Sequence, residues 1–225
     1  MIALIDNDII LKLAKWNLLA ELVRLLGGDL CKIYHLPTCF YSLCDPRRPM
    51  KALKRCGDEA TIFRIKTFCE QSREISSPKK LDWLERLNAI PNIDVGEVLI
   101  FSIGIEEQSA LTYIGDKRAL VALAGAPALR EAIEILGGRI KCLEQIVAEM
   151  LICHGMVEVI EKVRARPETD MSLKIVFGSV QDGRRQVEIL DGLRSYYNDL
   201  NKSTGGLLAA FPGIAPSVGE LHRVL

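Results

Sequence analysis

Ile2-Ala3-Leu4-Ile5-Asp6-Asn7-Asp8-Ile9-Ile10 opens with a short apolar run of partly β-branched residues, stopped by three polar ones. Strands buried on both faces read this way. Ile9, Ile10, Leu13, Trp16 and Leu19 then recur at helical spacing, until Gly27-Gly28 ends the segment. The same grammar returns at Ala110-Leu111-Thr112-Tyr113-Ile114, followed by Gly115-Asp116 and a helical pattern over Arg118–Ala124. Two strand-then-helix units predict an α/β fold built on a parallel sheet.

Working outward, Cys31–Leu36 is a second strand candidate, and Pro37-Thr38 opens a helical pattern through Phe40 and Leu43. Residues 45–86 read as charged helices, with eleven Lys/Arg against seven Asp/Glu, behind the turn Asp45-Pro46-Arg47-Arg48-Pro49. Pro91-Asn92-Ile93-Asp94 leads into a helix bearing Val98, Ile100, Phe101 and Ile105. After Gly137-Gly138 the chain reads as mainly helical. Cys142, Ile146, Met150, Val157 and Ile160 form one apolar stripe, and Val187, Leu190, Leu193 and Tyr197 another. The tail beyond Gly205-Gly206, with Pro212 and Pro216, reads as irregular.

Composition bounds the function classes. The 225 residues balance 29 Lys+Arg against 29 Asp+Glu, so no overall field draws nucleic acid. Hydrophobic residues at 49% and charged residues at 26% fit an ordinary globule. Aromatics at 6% argue against base-stacking platforms. Seven irregularly spaced cysteines and no leader-like N-terminus predict reduced thiols in a cytoplasm. No stretch is apolar enough for a membrane span.

Three acids fall at equivalent places. Asp6 follows the first strand, Asp116 follows the Ala110–Ile114 strand, and Glu97 lies in the first turn of the intervening helix. Sites in parallel sheets form beyond the carboxyl ends of the strands. Clustered carboxylates need a neutralising cation, and hard oxygens suit Mg²⁺ or Mn²⁺. Each acid has a plainer use as well. Asp94 and Glu97 fit a capping box, and Asp6 and Asp116 fit N-caps. The uses are compatible, because an acid at a helix start can also hold a metal.

These segments resemble PIN domains, the metal-dependent ribonuclease fold. Leu4-Ile5-Asp6-Asn7-Asp8-Ile9-Ile10 is similar to their opening strand and first acid. Asp94-Val95-Gly96-Glu97-Val98-Leu99-Ile100 is similar to their D-x-G-E segment, and Leu111–Ala119 to their later strand, acid and basic pair. The resemblance covers about residues 1–140. It implies a three-layer α/β/α sandwich followed by a helical C-terminal extension over 141–225. It further implies endonucleolytic cleavage of RNA with Mg²⁺ or Mn²⁺, with Asp6, Glu97 and Asp116 catalytic and metal-binding. An antitoxin protein and a second copy of the chain would then join RNA as partners. Toxin, processing and defence roles all stay open. The chain departs from the family where Pro37-Thr38-Cys39-Phe40-Tyr41-Ser42 carries Ser42 in place of the family's second acid. Asp8 and Asp45 are the substitutes within reach.

Two other classes compete. Asp6-Asn7-Asp8 and Gly115-Asp116 also resemble motifs of haloacid-dehalogenase-like phosphatases, although Ile9-Ile10 and the lack of a second acid over Lys117–Ala122 depart from them. Ser42 leaves room for a PIN-like binding module without catalysis. Arg47, Arg48, Lys51, Lys54 and Arg55 are candidate RNA-phosphate contacts, or simply a solvated helix face. His35, His154 and His222 are too scattered for a zinc site, Cys39 and Cys44 read as core residues, and Asp170 and Tyr196-Tyr197 as structural.

Overall fold

In the computed structural model, which describes residues 1–154 and 156–213, β1 (Ile2–Ile5) is the centre of a five-stranded sheet. It pairs on one side with β2 (Ile33–His35), which pairs with β3 (Arg73–Glu74). On its other side lies β4 (Ala110–Tyr113), paired in turn with β5 (Ile140–Lys141). Every pairing is parallel, so the order is β3-β2-β1-β4-β5. The chain moves outward from β1 through β2 to β3, then returns across the sheet to β4. The gap between the carboxyl ends of β1 and β4 is therefore the topological switch point, where such sheets bind ligands.

Thirteen α-helices accompany the strands among the described residues. Between β1 and β2 lie α1 (Asn7–Lys15) and α2 (Leu19–Leu25). Between β2 and β3 come α3 (Cys39–Cys44), α4 (Pro49–Cys56) and α5 (Glu59–Gln71). The return crossing carries α6 (Leu81–Asn88) and α7 (Val95–Glu106). Between β4 and β5 lie α8 (Lys117–Ala124) and α9 (Arg130–Leu136). After β5 follow α10 (Leu143–His154), α11 (Met156–Arg164), α12 (Met171–Phe177) and α13 (Gln186–Ser203). None of the described helices is long and apolar enough to cross a membrane.

The helix α7 is apolar on nearly all sides, and Val98, Ile100, Phe101, Ile103 and Ile105 are all buried. A helix of that character belongs inside a protein. It lies on β1 and β4 and carries α6 and α9 beside it. Its approach to β4 is close, since a Cβ at Gly104 would stand 3.0 Å from Thr112 Oγ1. A second connected group joins α1 to α2, α3 and α5, and α2 to α10.

Two strands differ from the sequence expectation. The 45–86 stretch is not helical throughout, because Arg73–Glu74 adds an edge strand. The segment after Gly138 likewise begins with β5 rather than a helix. Residues from 141 onward share one hydrophobic cluster with the rest, Met150, Phe177 and Leu193 joining Ile5, Leu36 and Phe101. A boundary at 140 thus falls inside β5. Leu208 bridges to Ile140 and Ala209 N–H donates to Ile140 O at 2.8 Å, so Leu207, Leu208 and Ala209 run along the sheet edge. Pro216, His222 and the end of the expected extension lie outside the described residues.

Candidate metal centre

A cleft of about 700 Å³ opens at the switch point, lined by Asp6, Asn7, Asp8, Thr38, Ser42, Asp94, Glu97 and Asp116, with Lys12, Arg55 and Arg118 also on its wall. Each acid reaches it by a separate local device.

Asp6 is held to the sheet, its N–H donating to Tyr113 O at 3.0 Å. It occupies the N-cap position of α1, but its side chain makes no cap hydrogen bond. Instead Asp6 Oδ2 accepts from Gly115 N–H across the switch point at 3.2 Å. That approach depends on the glycine, since a Cβ there would lie 2.7 Å from Asp8 Cβ. Asp8 pairs with Lys12 at 2.7 Å, and Lys12 also reaches Asp170 at 2.9 Å. Asp170 caps α12 by accepting from Leu173 N–H at 3.0 Å. A cleft residue is thereby tied to the helices beyond β5.

Glu97 sits in the expected capping box. Asp94 Oδ1 accepts from Glu97 N–H at 2.9 Å, and Glu97 Oε2 accepts from Asp94 N–H at 2.8 Å. The box engages one Glu97 oxygen and fixes the carboxylate at the cleft floor. Gly96 lets this turn close against β2's exit, where a Cβ would lie 2.7 Å from Leu36 Cδ1. Asp116 caps α8 by accepting from Arg118 N–H at 2.8 Å, and the Arg118 guanidinium closes on it at 2.7 Å.

The electrostatics divide these acids. Asp6 and Glu97 are 7% and 4% exposed, and no described Lys, Arg or His forms an ion pair with either. Burial, augmented by the charges of Asp8 and Asp94, pushes the Asp6 carboxyl up to about 6. Burial, augmented by Asp94, Asp6 and Asp116, pushes Glu97 up to about 8. Asp116 goes the other way, held down by its hydrogen bonds from Arg118. Crowded carboxylates of this kind are relieved by a proton or by a cation.

Asp6, Asp8, Glu97 and Asp116 thus line one cleft. Asp45 does not. It follows α3, accepts from Arg47 N–H at 3.0 Å and pairs with the same arginine. Ser42 lines the cleft as a neutral group, accepting from Asn7 Nδ2 at 3.0 Å and donating to Cys39 O at 3.1 Å. Of the basic candidates Arg55 alone lines the cleft, donating to Ser42 O at 2.8 Å. Arg48 and Lys51 line a neighbouring pocket of about 180 Å³ that shares Arg55 and Ser42 with it. Arg47 is spent on Asp45, and Lys54 lines neither pocket. Sequence reasoning missed Asp94 as a cleft acid, and Asn7, whose buried Oδ1 has no hydrogen-bond partner. A polar Asn between two acids at a strand end was the signal available.

The oxygen-only donor set suits a hard divalent ion. Glu97 spends one oxygen on the capping box, and burial together with neighbouring acids makes Asp6 and Glu97 hold a proton more readily than usual. As the side chains stand, however, no group of three or more His, Cys, Asp or Glu among the described residues is gathered closely enough to hold a metal. Comparison of the chain with protein-family models, with curated proteins and with solved structures gives no match.

Proposed function

We propose that the chain is a PIN-like, metal-dependent endoribonuclease whose Asp6, Glu97 and Asp116 hold Mg²⁺ or Mn²⁺. One observation carries the reading: two buried carboxylates with no ion-pair partner among the described residues share a cleft with further acids at the switch point of a parallel sheet. A bound ion supplies a water of lowered pKa and offsets the charge that develops on the phosphate. The chain's own residues do the rest. Asp94 orients Glu97 through the capping box, and Gly115 orients Asp6. Lys12, anchored by Asp170, keeps Asp8 in place at the wall. Arg55 lines the cleft as the local positive charge that a neutral protein needs to engage RNA phosphates, while Arg118 on the same wall is paired with Asp116.

A second reading has its own observation. Ser42 satisfies its hydroxyl with Asn7 and Cys39 and brings no charge. A cleft one acid short of the family pattern could bind RNA without cutting it. The deciding experiment incubates the full chain with Mn²⁺ and single-stranded RNA, and in parallel with p-nitrophenyl phosphate. The endoribonuclease reading expects RNA cleavage, lost in Asp6→Asn, with the ester untouched. RNA binding without cleavage selects the binding module. Ester turnover lost in Asp6→Asn selects the phosphatase.

A further inference from the structure

Cys44 closes α3 and Cys56 closes α4, and their sulfurs stand 3.6 Å apart. Both thiols are free and buried, at 2% and 0% exposure. We propose that Cys44 and Cys56 form an oxidisable dithiol, a modification site at which a peroxide joins α3 to α4 through an intramolecular disulfide. The proposal stands apart from the cleft chemistry and holds or fails without it.

The geometry sets a small demand. A disulfide brings its sulfurs to about 2.05 Å, so the pair must close by roughly 1.5 Å. The two cysteines stand at the ends of neighbouring helices with eleven residues of chain between them. The pair is also divided in character. The hydrogen bond from Cys44 holds the Cys56 thiol down, helped by the charges of Lys15 and Arg55, and the same bond pushes Cys44 up. Either sulfur can attack first, because the same disulfide forms with Cys56 or Cys44 as the initial nucleophile.

The reaction balances with hydrogen peroxide as the oxidant. With Cys56 first, its sulfur attacks one peroxide oxygen, a sulfur–oxygen bond forms, and the oxygen–oxygen bond breaks. The departing hydroxide takes up the Cys56 proton and leaves as water. The Cys44 sulfur then attacks the sulfenic sulfur, the sulfur–sulfur bond forms, and hydroxide leaves with the Cys44 proton as a second water. Two electrons pass from the thiols to the peroxide. A reductant thiol reverses the change by exchange. A 180 Å³ pocket lies beside the pair, lined by Leu43 and Asp45 on either side of Cys44 and by Arg55 next to Cys56. The new bond would fasten the segment of Ser42 to that of Arg55, and both residues line the cleft.

The nearest competitor is the pair formed by Cys39 on α3 and Cys69 on α5. There the Cys69 thiol is pushed down by Cys39 and by His35. The test is therefore a mapping one. The native full chain is exposed to hydrogen peroxide, quenched in acid, alkylated and digested without reductant. The expected product is a single cross-linked peptide joining Cys44 to Cys56, two hydrogens lighter than its parts and absent after dithiothreitol. The oxidised chain should also melt several degrees higher than the reduced one. Cys44→Ala and Cys56→Ala should each lose the cross-link, but the wild-type map decides the matter even if a variant folds poorly. A Cys39–Cys69 cross-link, a bond between two chains, or full alkylation of both Cys44 and Cys56 after peroxide would each overturn the proposal.

Discussion

Among the described residues four acids are buried to nearly the same depth, and they are treated in opposite ways. Glu21 and Glu144 are 3% and 1% exposed, and each has a cation. Lys162 reaches Glu21 at 2.8 Å with Arg24 at 3.0 Å, and Lys117 closes on Glu144. Those pairs bind α11 to α2 and α10 to α8, and they explain their own burial as structural contacts. Asp6 and Glu97 have further acids for neighbours instead. The fold thus neutralises two buried acids with cations and leaves two others at its switch point with no ion-pair partner among the described residues.

The sharpest way to break this comparison is to neutralise each acid in turn and melt the metal-free protein at pH 8. Glu21→Gln and Glu144→Gln strand a lysine, and should each cost about 1–3 kcal/mol, the partly exposed cations being softened by solvent. Glu97→Gln keeps its cap, because Gln serves a capping box too, and should raise the melting temperature by several degrees. Asp6→Asn should do the same to a smaller extent. A loss of stability in Glu97→Gln as large as that in Glu144→Gln would erase the distinction between the pairs.

The next effect is a pH dependence. Glu97 titrates near 4.5 when unfolded and about 8 when folded, so between those values the folded state holds the extra proton. Its contribution to stability is full below 4.5 and falls as pH rises toward 8. Asp6 adds a fall between 3.8 and about 6. Chemical denaturation in chelator should therefore show stability declining over pH 4.5–8, and Glu97→Gln should flatten most of the decline. A stability that rises across that window would contradict the bare-acid account.

Smaller effects concern the α3 side of the cleft. Ser42→Glu adds a carboxylate at the cleft wall from an exposed position and should tighten Mn²⁺ binding about tenfold, measured by calorimetry. Asp45→Asn should change that affinity by less than about twofold, since Asp45 is engaged with Arg47 outside the cleft. A collapse of binding in Asp45→Asn would show that Asp45 takes the vacant role after all.

Much of this was legible in the chain. Four-residue β1 and β4 announced themselves as short, mostly apolar runs before Asp6 and Gly115, and Asp94 with Glu97 spelled out their capping box. The two-residue strands β3 and β5 were not legible, because two residues carry no period. Arg73 and Glu74 are also exposed, so they lack even the apolar signature of a strand. The tie from Lys12 to Asp170 crosses most of the chain, and local pattern holds no trace of it. That Asp6 leaves its cap unmade and turns to Gly115 is likewise a tertiary fact, fixed by the close meeting of Asp8 and Gly115.

The central claim is that the bare acids await a cation, and a Mn²⁺ titration of the full chain at pH 7.5 tests it most directly. Followed by the loss of the free-ion paramagnetic resonance signal, wild type should take up about one ion per chain, and Asp6→Asn and Glu97→Gln should each weaken uptake at least tenfold while Glu144→Gln does not. No uptake by a folded wild-type chain, or uptake indifferent to Asp6→Asn and Glu97→Gln, would contradict the account.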